Sequence, residues 1–227
     1  MARKPGVTAA GVQRRAQILQ KAEELIARGG FHEMTMDSIA EALDVSKSSL
    51  YHYFRLKEDV LFAIRTETLA GLIAKQRERM QSGRPYIELV REMMQEGLKL
   101  VSDSPAKYRA IFELKMKSST DREAEIRELE REYFHMMVAT VQGAIDEGSL
   151  RAVDPRLVAQ AILSMANHAQ YWFKPSGRMS HRAVADAFWD MLSSGIAADD
   201  HRGTLDGAKI PRALKVEFSL ASESPVP

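Results

Sequence analysis

Cysteine is absent from the 227-residue sequence, which excludes a disulfide framework and any thiolate metal site. No apolar run is long enough to span a bilayer. Arg3 and Lys4 near the start have no apolar segment behind them, so no secretory signal and no membrane partner are expected. A reducing cytoplasm is the expected compartment. An excess of one charge is also lacking, because 32 basic and 31 acidic side chains leave a formal +1. A nucleic-acid partner therefore has to be argued from local placement of cations. Glycine and proline are sparse while helix formers abound, which predicts an all-α protein. A serine nucleophile elbow, a His-Glu-x-x-His pair and a phosphate loop are all missing. His32, His52, His135, His168, His181 and His201 are scattered without metal-ligand spacing. No catalytic residue, metal ligand or cofactor is expected.

The most informative stretch present runs from Thr35 to Phe54. Met36, Ile39, Ala40 and Leu43 recur at i, i+3, i+4 and i+7, the apolar stripe of a short helix. Thr35 suits its N-cap, and Asp37 lies in the first turn, where the helix dipole favours an anion. Asp44 tolerates the left-handed backbone of a tight turn. Val45 fills the gap between helices. Ser46 caps a second helix, expected over Lys47 to Tyr53, with Leu50 and Phe54 pointing inward. Lys47, Ser48, Ser49, Tyr51, His52 and Tyr53 then remain as donors and aromatics. Such groups suit phosphate oxygens and base edges in a major groove. The spacing fits a helix-turn-helix that reads double-stranded DNA, and it fits a solvated helical hairpin equally well.

Thr35, Ile39-Ala40, Ala42, Val45-Ser46, Leu50-Tyr51, Tyr53-Phe54 and Lys57-Glu58 resemble the helix-turn-helix signature of TetR-type transcriptional regulators. The chain departs from that pattern at Asp44, where glycine is frequent, and at Leu56, where a capping side chain is frequent. The loss of a cap at Leu56 costs about 1 kcal/mol. The resemblance implies a homodimer on a palindromic operator, with Thr35, Ser46 to Ser49, Tyr51 to Tyr53 and Lys57 at the DNA. Repression is the family's usual mode.

Taken in order, residues 1–9 read as a flexible basic arm and 10–56 as the DNA-binding domain. Within it, a first helix ends at Gly29-Gly30. Arg3, Lys4, Arg14 and Arg15 precede the first acid, Glu23, and suit either phosphates or a solvating tail. Residues 57–198 read as a helical ligand-binding and dimerisation domain. It opens with a long helix from Lys57 towards Met80, whose N-terminus and Lys57 suit a phosphate. Further helices follow over 85–101, around Tyr108 to Leu114, from Asp121 to Gly148, and over 155–173 and 180–197, about nine in all. Asp154-Pro155 marks a helix start and Ser180 another cap. Residues 199–227 read as a loose tail, within which Leu214, Val216, Phe218 and Leu220 alternate at strand period.

The segment Met165 to Ser180 has a second, shorter resemblance, to TetR-like repressors that sense acyl-CoA thioesters. Asn167, Trp172, Phe173, Lys174, Pro175, Gly177 and Arg178 stand at its matching positions. That implies an apolar effector pocket, and the expected lining is Arg65, Met93, Phe112, Tyr133, Met137, Asn167, His168, Tyr171 and Trp172. The competing reading makes Pro175 and Gly177 a plain turn, with the aromatics packed in a dimer seam formed by the last two helices. Without specific DNA binding, the same helices suit a protein-interaction adaptor.

Overall fold

The computed structural model describes residues 8–112 and 120–194, apart from the side chains of 111, 112 and 120. Among the described residues the chain is all-helical, with nine helices in order: α1 Ala9–Glu33, α2 Met36–Ala42, α3 Lys47–Tyr51, α4 Lys57–Gln81, α5 Tyr86–Asp103, α6 Pro105–Phe112, α7 Thr120–Asp146, α8 Pro155–Ala169 and α9 His181–Ser194. Residues 1–7, Leu114 and the alternating stretch of the expected tail lie outside the described residues.

Local chemistry sets the helix ends. Thr8 accepts from the Gly11 amide and starts α1, so helix begins inside the segment expected to be a free arm. Gly30 breaks α1 at φ 81 and ψ 171, where a side chain would be strained. Gly148, at φ 78, ends α7, and the Ser149 amide donates back to the Ala144 carbonyl. Asp154 accepts from the Arg156 amide at 2.8 Å and starts α8, with Pro155 at N1. Each cap is worth about 1 kcal/mol, against about 1.5–3 kcal/mol for each fully buried aliphatic or aromatic side chain. The buried stripes therefore hold the helices together, and the caps decide where they stop.

There are two cores. The first joins Ile18, Ala22 and Ile26 of α1 to Met36, Ile39 and Leu50, and continues through Val60, Leu61, Ile64 and Leu69 of α4. The second gathers Val90, Met94 and Leu98 of α5, Met137 and Val141 of α7, Ile162 and Ala166 of α8, and Val184 of α9. The helix α4 thus begins in one core and runs alongside the other. It packs along α7, and Gln76 donates to the Thr140 hydroxyl at 2.7 Å in that seam, both side chains being fully buried. Gly143 of α7 admits the Tyr86 ring of α5, which a Cβ would meet at 2.5 Å.

Two helices end earlier than expected. The α3 helix stops at Tyr51, where the Tyr53 amide tightens onto Leu50, three residues back. The α8 helix stops at Ala169, not near Phe173. The Tyr171 and Trp172 amides make three-residue bonds to His168 and Ala169, and Lys174-Pro175 follows, where proline disfavours helix in the residue before it.

Candidate DNA interface and effector cavity

Three short-range devices shape the head. Thr35 and Ser38 form a reciprocal box: the Ser38 amide donates to Thr35 Oγ1 and the Thr35 amide to Ser38 Oγ, both at 3.0 Å. Asp44 takes the left-handed turn at φ 52. Ser46 accepts from the Ser49 amide at 3.2 Å and starts α3. With Leu50 and Phe54 buried beneath, α3 presents Lys47, Ser48, Ser49, Tyr51 and His52 exposed on one surface. Lys47 Nζ lies 2.6 Å from Asp37 Oδ2, and that carboxylate holds the ammonium's pKa above its ordinary value.

The remaining residues expected at the DNA have structural partners. The Thr35 and Ser46 hydroxyls are committed to caps, and half-buried Tyr53 packs on the first core. Lys57 donates to the carbonyls of Phe31, His32 and Met34 at 3.2–3.3 Å and covers the Phe31 ring. It ties the broken end of α1 to α4, so the phosphate contact expected of Lys57 has a competitor. Leu56 offers α4 no side-chain cap. Instead Asp59 reaches back to accept from the Arg55 and Leu56 amides at 3.0 and 2.9 Å. Burial pushes the Asp59 carboxyl up, but those bonds and Arg122 outweigh it and hold the pKa below the ordinary value.

The effector candidates separate into two groups. Met93, Tyr133, Met137 and Asn167 line one cavity with Leu72, Glu96, Gly97, Leu100, Tyr108, Ile162, Leu163 and Ala166. The cavity is closed down to about 20 Å³, room for one water. Gly97 of α5 and Ala166 of α8 meet at its wall, and a Cβ on Gly97 would lie 2.7 Å from the Ala166 methyl. Tyr108 donates to the Asn167 carbonyl at 2.9 Å across it. Desolvation, and then the Glu96 carboxylate, push the Tyr133 phenol up to about 12, so it remains a donor.

Arg65, His168, Tyr171 and Trp172 do not line this cavity. Arg65 is buried in the α4–α7 seam, donating to Glu130 at 3.2 Å. Burial lowers the guanidinium's pKa there and raises that of Glu130. His168 lies within α8 on the face away from its buried stripe and is exposed, and the early end of the helix leaves Tyr171 and Trp172 71% and 48% exposed. Trp172 packs edge-on against Phe188 of α9. The Phe112 side chain lies outside the described residues. Glu96, Gly97 and Tyr108 were missed as site residues. A glycine on an otherwise apolar helix face is a signal of close approach, and nothing near Glu96 in the chain marks it.

A family model for bacterial regulatory proteins of the tetR family matches residues 18–64. A second, for the tetracyclin repressor-like C-terminal domain, matches residues 83–196, half of the chain. The chain belongs to the TetR family. Among relatives of this TetR-family chain is the HTH-type transcriptional repressor KstR2 of Rhodococcus jostii, 27% identical over 189 residues, covering 82% of this chain and 92% of that protein. The fatty acid metabolism regulator protein of Bacillus subtilis is 22% identical over 183 residues, or 79% and 94% of the two chains. Among solved structures, AibR in complex with isovaleryl coenzyme A and operator DNA superposes with a TM-score of 0.69 at 28% identity, covering 79% and 98%. No described helix is long and apolar enough to cross a membrane.

Proposed function

We propose that this TetR-family chain is a homodimeric repressor that binds a palindromic operator and leaves it when an acyl-CoA-type ligand enters the helical half. The observation that carries the DNA reading is the exposed surface of α3, where Lys47, Ser48, Ser49, Tyr51 and His52 stand clear of a capped and buried scaffold. A dimer presents two such helices to successive major grooves, near one helical turn apart. Leu157, Tyr171, Trp172, Met179 and Met191 are large exposed apolar residues of α8, α9 and the turn between them, and they supply the seam for the second subunit. Such a repressor works in the cytoplasm, beside the chromosome, and has no catalytic role.

The apolar cavity, and relatives named for fatty-acid metabolism and bound isovaleryl coenzyme A, support the ligand class. Because the cavity is nearly closed, a bound acyl group has to spread α5 from α8. Leu72 of α4 lines the same space, so that displacement reaches the helix leading back to the head. A tenfold preference of the ligand for the open form corresponds to about 1.4 kcal/mol.

The test is binding to DNA from upstream of the protein's own gene, at two salt concentrations, with and without acyl-CoA thioesters. Tight, salt-sensitive binding that one thioester releases is the expected result. Lys47→Ala with Tyr51→Ala should abolish specific binding at unchanged melting temperature. Unaltered operator affinity in that variant would defeat the DNA reading.

A further inference from the structure

The effector cavity is walled by aliphatic, methionine and aromatic side chains, and Glu96 is the only charged residue among its described lining. Glu96 sits on α5 with its side chain 15% exposed. Lys75 Nζ and Arg79 Nη2 of α4 lie 2.8 and 2.9 Å from its two carboxylate oxygens. Neither cation lines the cavity. Burial pushes the carboxyl up, but the hydrogen bonds from Lys75 and Arg79 outweigh it and hold Glu96 below its ordinary value, ionised at neutral pH.

We propose that Glu96 is a specificity determinant: it lets the cavity accept the uncharged end of an acyl thioester or ester and reject the free carboxylic acid of the same chain. The proposal rests on the acyl ligand class argued above and adds the residue that selects within it. An entering carboxylate would be stripped of water beside Glu96, and the two cations that Glu96 already binds do not line the cavity to receive it. A thioester brings only a carbonyl dipole. Tyr133, a half-buried residue whose phenol stays protonated, lines the same cavity and supplies a donor for that oxygen. Discrimination of this kind works by repelling the wrong ligand and not only by gripping the right one.

The experiment uses the purified full chain and three forms of each acyl group from butanoyl to dodecanoyl: the coenzyme A thioester, the N-acetylcysteamine thioester and the free acid. The N-acetylcysteamine form carries no phosphate, so its comparison with the acid isolates the charge at the acyl end. Binding is followed by thermal shift and titration for wild type, Glu96→Gln and Glu92→Gln. Glu92 pairs with the same Arg79, at 3.2 Å, but does not line the cavity, so its variant controls for disturbance of the ion network. Wild type and Glu92→Gln should favour the neutral thioester over the acid by at least about tenfold, and Glu96→Gln should narrow the ratio to within about threefold. Equal binding of acid and thioester by wild type overturns the proposal, and so does an unchanged ratio in Glu96→Gln. Binding of none of the compounds by wild type removes the acyl ligand class itself, a result distinct from a lost ratio.

Discussion

On α3 the polar groups between Lys47 and His52 are neighbours in the chain and stand exposed, while the apolar cavity draws its lining from α4, α5, α6, α7 and α8. The head leaves its chemistry outside. Caps, a left-handed turn and two buried anchors settle α3 locally, and the side chains left over face solvent. Lys47 meets Asp37 of α2 with both partners exposed, whereas the helical half ties its cations between packed helices. Lys75 and Arg79 are held by Glu92 and Glu96 between α4 and α5, Arg91 by Asp186 between α5 and α9, and Arg65 by Glu130 between α4 and α7. Lys47 thus stays open to solvent even when paired, while the ion pairs of the helical half link one helix to the next.

Four substitutions or conditions probe that contrast. Gly143→Val drives a branched side chain into the Tyr86 ring and should cost the helical half about 3 kcal/mol. Denaturant unfolding followed at that half would show it, and a neutral result would mean that α5 and α7 are less closely seated than the geometry implies. Lys57→Met asks to which side of the comparison Lys57 belongs. As the donor to three carbonyls it should cost about 2 kcal/mol of stability. As a phosphate ligand it would leave stability alone and lower the salt slope of DNA binding. Leu56→Ser restores the missing cap on α4 and should raise stability by about 1 kcal/mol, read as a higher melting temperature.

The smallest effect is the pH response of the α4–α5 network. The folded pKa of Glu96 lies below its ordinary value, so its contribution is fully present above the unfolded pKa of 4.5. That contribution is lost as pH falls through the folded value. Acid unfolding of Glu96→Gln should therefore be less steep than that of wild type in that range, and coincident curves would show that the ion pairs add nothing.

Legibility in the sequence followed the same divide. Thr35, Asp44, Ser46, Leu50 and Phe54 act through neighbours within a few residues, so their spacing announces both the motif and its exposed face. Asp154-Pro155 and Gly148 are equally local signals. Met93, Tyr133, Met137 and Asn167 were legible as candidates because they fall on apolar faces or in the shorter resemblance. Tyr171 and Trp172 were placed in the lining because the helix was expected to run to 173; its end depends on backbone bonds that tighten ahead of Pro175.

By itself the sequence determined that this protein is helical, where most of its helices begin, and which surface of the head faces outward. Those outcomes depend on caps, turn residues and periodicity, all of which act over one or two helical turns. Only the tertiary structure decided that Lys57 closes a carbonyl cage, that Arg65 is buried against Glu130, and that Glu96 enters an apolar wall. Each of these depends on which side chain a distant helix brings alongside, and that is set by the packing of whole helix faces.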